Sequence, residues 1–103
     1  MTNLSKKTTK IEFLRDFIIK NISEGGILIE TSYLLPINSI HFLNLTYKEM
    51  NFYIKGIVKR VEKSTENNKE FFRIAFQFID INSQQKSDLK NFINLIKNLI
   101  KKE

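Results

Sequence analysis

Phe17-Ile18-Ile19-Lys20-Asn21-Ile22-Ser23-Glu24-Gly25-Gly26-Ile27-Leu28-Ile29 sets two apolar runs on either side of short polar residues and a glycine pair. Hydrophobic strands break in this way at a turn, because Asn and Ser side chains bond their own backbone and Gly supplies positive φ. The stretch from Asn21 to Gly26 therefore predicts a strand, a turn and a second strand. It exposes an amide, a hydroxyl and approachable backbone at one place, a combination that suits a polar ligand.

Strand patterns continue on both sides of this unit. Ile11 to Ile19 partly alternates and is rich in Phe and Ile, and Ile27 to Thr31 follows the turn as a second strand. Pro36 lacks a donor and marks Leu34 to Asn38 as a connection. Ile40 to Leu45 is a third strand, and Phe52 to Val61 a longer, well-alternating fourth with Gly56 as its expected bulge or bend. Ser64 to Lys69 reads as a polar hairpin loop. In the fifth strand, Phe71 to Phe78, residues Phe72, Ile74, Phe76 and Phe78 share one face.

The period then changes. Leu89, Phe92, Ile93, Ile96, Leu99 and Ile100 follow helical spacing, with Asn82 or Ser83 as cap and Lys97, Lys101 and Lys102 at the negative end. Strands at regular spacing followed by one helix imply a mainly β fold, a small antiparallel β-barrel with one C-terminal α-helix. The helix stripe is expected to cover an open end or flank of that barrel.

Composition sets the outer bounds. The 103 residues fit one domain, and 42% hydrophobic content supplies a core. Residues 1–10 read as a flexible basic leader and 11–103 as the single domain. No apolar run reaches the ~20 residues of a membrane helix, and Met1 to Lys10 lacks a signal peptide's apolar centre, so membrane insertion is not expected and the cytoplasm is. The absence of Cys excludes disulfides and thiolate metal sites. A net charge of +6 attracts anions, although part of it is Lys used as a general surface residue.

Catalytic machinery is not expected. His41 is the sole histidine and reads as a packed or surface strand residue. No carboxylates have metal-ligand spacing, and Walker and Rossmann fingerprints are missing. Arg60 and Arg73 fall on strands that should pair, so both could reach one rim; they read as surface charges, with an accessory anion contact as the sharper alternative. A small basic barrel that stacks single-stranded nucleic acid on aromatics is a third option, disfavoured because most Phe positions lie on core faces.

The order of elements resembles the PilZ domain family, bacterial receptor modules for cyclic di-GMP. The family's loop motif is Asp or Asn, any residue, Ser, any two residues, Gly, and Asn21, Ser23 and Gly26 fill it. Gly56-Ile57-Val58 resembles the family's later "Gly-x-Val" strand. Phe76-Gln77-Phe78-Ile79-Asp80 and the closing helix complete the likeness, which runs from about Ile11 to the end. Where the family carries Arg-x-x-x-Arg on its leader, this chain departs. Lys6 and Lys10 keep the spacing with lysine, while Arg15 has Ile19 four residues on.

The resemblance implies a non-enzymatic signalling adaptor with cyclic di-GMP as regulatory ligand and no other cofactor. Asn21, Ser23 and Gly26 would serve the ligand from the loop, and Lys6, Lys7, Lys10 and Arg15 from the leader side. A bacterial protein partner in motility, pilus or exopolysaccharide machinery is implied as well. An alternative within the same family is a nucleotide-independent adaptor of the type IV pilus kind. An Asx turn uses the same loop residues with no ligand at all.

Overall fold

The computed structural model of the protein describes residues 13–14 and 17–101. Among these residues six strands and one helix follow in order: β1 (Phe13–Leu14), β2 (Phe17–Ile22), β3 (Gly26–Thr31), β4 (Ile40–Tyr47), β5 (Met50–Glu66), β6 (Lys69–Phe78) and α1 (Ser83–Lys101). The strands form one sheet in the order β1-β4-β5-β6-β3-β2. Only two residues separate β1 from β2, yet these strands occupy opposite edges. Three residue steps span about 11 Å at most, so the sheet must curl until its edges nearly meet. The mainly β, barrel-like fold with one C-terminal helix is the expected one.

Alternation explains which face turns inward. Ile27, Ile29, Leu43, Leu45, Ile54, Val58, Ile74, Phe76 and Phe78 are buried, and each strand points their neighbours outward. From the helix, Leu89, Phe92 and Ile93 close over the same cluster. Phe92 is fully buried and meets Phe52 edge to face, with ring centroids 5.7 Å apart. Burying a side chain of this size is worth about 1.5–3 kcal/mol. The helix starts in a capping box. Asn82 Oδ1 accepts from Gln85 N–H at 2.8 Å, and Gln85 Oε1 accepts from Asn82 N–H at 3.1 Å.

Five details depart from the sequence expectations. The pattern read as one strand from Ile11 is split, and β1 pairs with β4 in parallel, so the sheet is not wholly antiparallel. Asn21 and Ile22 belong to β2 rather than to the turn. No glycine has positive φ; among the described residues the left-handed ones are Asn38, Lys48, Asn67, Asn68 and Asp80. The β5–β6 loop is only Asn67-Asn68, because two consecutive left-handed residues make a type I′ turn that lets the strands pair up to Glu66 and Lys69. Gly56 is not a bulge. It lies under Phe76, whose side-chain carbons would press on a Cβ there at 3.1–3.2 Å.

Candidate functional site

The turn that opens the sequence argument is pinned from several directions. Ser23 N–H donates to Gly26 O at 2.9 Å, and Phe78 N–H donates to Gly25 O at 3.0 Å. Asn21 Oδ1 accepts from Ile22 N–H at 2.9 Å, and Ser23 Oγ accepts from Gly25 N–H at 3.3 Å. These two bonds fix the side chains in place. The Asn21 oxygen keeps a second lone pair, and the Ser23 hydroxyl keeps its proton. Gly26 lies so close to β6 that any side chain there would strike the Phe76 carbonyl oxygen.

Asn21, Ser23 and Gly26 line one surface hollow of about 260 Å³. The hollow also takes in Leu28 and Ala75 and ends on Arg60. Of the loop and leader residues named from the sequence, these three are brought together. Lys6, Lys7, Lys10 and Arg15 lie outside the described residues.

Arg60 is the residue that sequence reasoning set aside. It reaches the hollow because of a β-bulge. Val58 pairs with Phe76, and Arg60 rather than Lys59 pairs with Ala75. By simple alternation from Gly56 and Val58, residue 60 would face the core. The extra residue Lys59 turns it outward. The same device acts on β2. Ile19 pairs with Ile29, the ladder skips Lys20, and Asn21 pairs with Leu28. Leu28 pairs in turn with Ala75. The result is a straight cross-sheet row, Asn21, Leu28, Ala75, Arg60, with a bulge behind each polar end. Sequence carries a trace of both bulges. Ile19-Lys20-Asn21-Ile22 and Val58-Lys59-Arg60-Val61 each set two polar residues between two inward apolar ones.

The neighbouring row holds Glu30, Arg73 and Glu62. Arg73 Nε donates to Glu30 at 3.0 Å, which commits that guanidinium locally. Arg60 approaches Glu62 only at 3.6 Å, with both side chains more than half exposed. Of the two arginines among the described residues, Arg60 is therefore the one freer to meet an anion or a base edge. A larger hollow of about 580 Å³ lies at the other end of β2 and β3, where Glu30 and Glu66 line it. Lys69 lines it too, and none of Asn21, Ser23 and Gly26 does.

His41 is buried and its Nε2–H donates to Ser39 Oγ at 2.7 Å, since the Ser39 hydroxyl itself donates to the Pro36 carbonyl. This is a structural role. Among the described residues, no three His, Asp or Glu side chains gather as metal ligands, and no helix is long and apolar enough to cross a membrane.

A family model described as the PilZ domain matches residues 5–95. Among solved structures, the chain is similar to K. pneumonia MrkH in its apo state, at 25% identity and a TM-score of 0.67. That match covers 84% of this chain and 43% of the MrkH chain, so the protein spans less than half of that neighbour. A search of curated proteins found no match. The family match takes in the pinned turn, both bulges and most of the helix, and the chain belongs to the PilZ domain family.

Proposed function

We propose that this protein is a non-enzymatic signalling adaptor that takes cyclic di-GMP and passes its level to a partner protein. The carrying observation is the convergence of Asn21, Ser23 and Gly26 on one hollow of the outer sheet face, in a chain of the PilZ family. Cyclic di-GMP offers two guanines and two phosphates. The fixed Asn21 amide and the free Ser23 proton suit base edges and phosphate oxygens, and Gly26 holds the turn close against β6.

In this reading, residues 1–10 act as a basic leader to the domain. Lys6, Lys7, Lys10 and Arg15 neutralise the phosphates, and ordering of the leader over the ligand creates the surface a partner reads. The partner is a bacterial protein of the motility, pilus or exopolysaccharide class, met in the cytoplasm.

Isothermal titration with cyclic di-GMP at physiological salt tests the proposal. Saturable binding that Asn21→Ala with Ser23→Ala abolishes is the expected result; no heat at high micromolar protein overturns it. A nucleotide-independent adaptor is the second reading. Lysines at positions 6 and 10, where the family carries arginines, favour it, because a point charge lacks the guanidinium fork. So do Leu34, Ile37 and Ile40, apolar side chains left 65%, 57% and 49% exposed on the chain entering β4. One tight partner bound equally with and without nucleotide would establish it.

A further inference from the structure

We propose that the row Asn21, Leu28, Ala75, Arg60 is the seat of a single guanine ring, with Arg60 supplying from the sheet the base-reading guanidinium that the leader lacks. The inference rests on the cyclic di-GMP reading and deepens it.

Three observations carry it. Both polar ends of the row face outward only because Lys20 and Lys59 are inserted into β2 and β5. Bulges are features that re-aim side chains beside functional sites, and here two of them, on strands that do not touch, re-aim residues onto the same row. Between the ends lie Leu28 and Ala75, half-buried and side by side, a flat apolar floor one strand spacing wide. The hollow above them is about 260 Å³. That is smaller than the ~300–1,000 Å³ of pockets for drug-sized ligands, and it suits one ring system rather than a whole dinucleotide.

The chemistry of the two ends is complementary to opposite edges of guanine. Guanine presents O6 and N7 as paired acceptors, which a guanidinium meets with two parallel hydrogen bonds. Its N1–H and N2–H donors lie on the other side of the ring. The remaining lone pair of Asn21 Oδ1 can accept there. Strands about 4.8 Å apart place the Cα atoms of residues 21 and 60 roughly 14 Å from each other, a span that the Arg60 side chain shortens to ring size. Arg60 is exposed, and its contact with Glu62 at 3.6 Å is weak enough to give up. Arg73 holds Glu30 at 3.0 Å and does not line the hollow. Adenine carries an N6 donor where guanine has O6, so the same fork rejects it.

The test is titration of the full chain with cyclic di-GMP and with cyclic di-AMP, using wild type, Arg60→Ala, Arg60→Lys, Arg73→Ala and the Asn21→Ala, Ser23→Ala pair. Wild type is expected to prefer cyclic di-GMP. Arg60→Ala should lose about tenfold or more in affinity for it and most of that preference, and Arg60→Lys should not restore either. Arg73→Ala, outside the row, controls for general charge and should bind as wild type does. If Arg60→Ala binds cyclic di-GMP as tightly as wild type while the Asn21 and Ser23 pair loses it, the guanine seat is wrong and the nucleotide reading survives. Equal wild-type affinity for the two dinucleotides also overturns the seat. No binding by wild type overturns both. Far-ultraviolet circular dichroism on each variant separates lost binding from lost fold.

Discussion

Gly26 and Phe76 touch backbone to backbone: a Cβ at residue 26 would occupy the space of the Phe76 carbonyl oxygen. Backbone cannot swing aside, so β3 and β6 would have to part. Gly26→Ala is expected to cost about 1–3 kcal/mol, the usual range for overpacking. Gly25 has no atom within 4 Å of its would-be Cβ and lacks a positive φ. Gly25→Ala should stay within about 0.5 kcal/mol of wild type. Urea titrations of the pair measure both, and equal losses would mean that close approach is not what requires glycine at position 26.

The helix start makes a second prediction. Asn82, not Ser83, holds the capping bond to Gln85 N–H. Asn82→Ala should destabilise by about 0.5–2 kcal/mol. Ser83→Ala should be nearly silent in the same thermal melts. The opposite order would place the cap one residue later.

Phe92 anchors α1 to the sheet through its fully buried ring and the edge of Phe52. Phe92→Ala is expected to lose about 3–5 kcal/mol, much of the stability of a domain this size. Phe92→Leu keeps most of the volume and should cost far less. If both variants melted like wild type, the helix would not be part of the core.

The Glu30 and Arg73 pair is short but half-exposed on the arginine side. Arg73→Ala is expected to change stability by no more than about 1 kcal/mol, and the difference should shrink as salt is added. A loss that persists at high salt would show that the pair works through packing rather than charge.

The sequence made the fold readable wherever alternation was unbroken. Phe72, Ile74, Phe76 and Phe78 face inward as their spacing requires, and Leu89, Phe92 and Ile93 form the helix stripe. It misled where a local rule had two explanations. Asn67 and Asn68 sit in a polar hexapeptide that reads as a loop, but two residues in left-handed conformation suffice to reverse the chain, and the ladder takes the rest. Gly56 reads as a bulge because a strand glycine usually marks one, whereas here its bare Cα makes room for Phe76. Half of the candidate site was visible as the Asn21, Ser23, Gly26 spacing. Arg60 was not, because a bulge shifts parity, and parity is what assigns a face. Only the paired polar residues in Ile19-Lys20-Asn21-Ile22 and Val58-Lys59-Arg60-Val61 record the shift.

The β5–β6 hairpin also has a kinetic meaning. Its strands are the longest in the sheet and are joined by two residues, so closing that loop sacrifices little chain entropy. By contrast, β3 must find β6 from the far side of β4 and β5 in the chain, and β2 reaches the rest of the sheet only through β3. Folding should nucleate on the hairpin and finish at the edge that carries Asn21. Val61→Ala is then expected to slow refolding, while Ile19→Val should mainly hasten unfolding. Chevron plots with the reverse pattern would move the nucleus elsewhere. The β2–β3 unit that delivers Asn21 to the outer face is then expected to dock last.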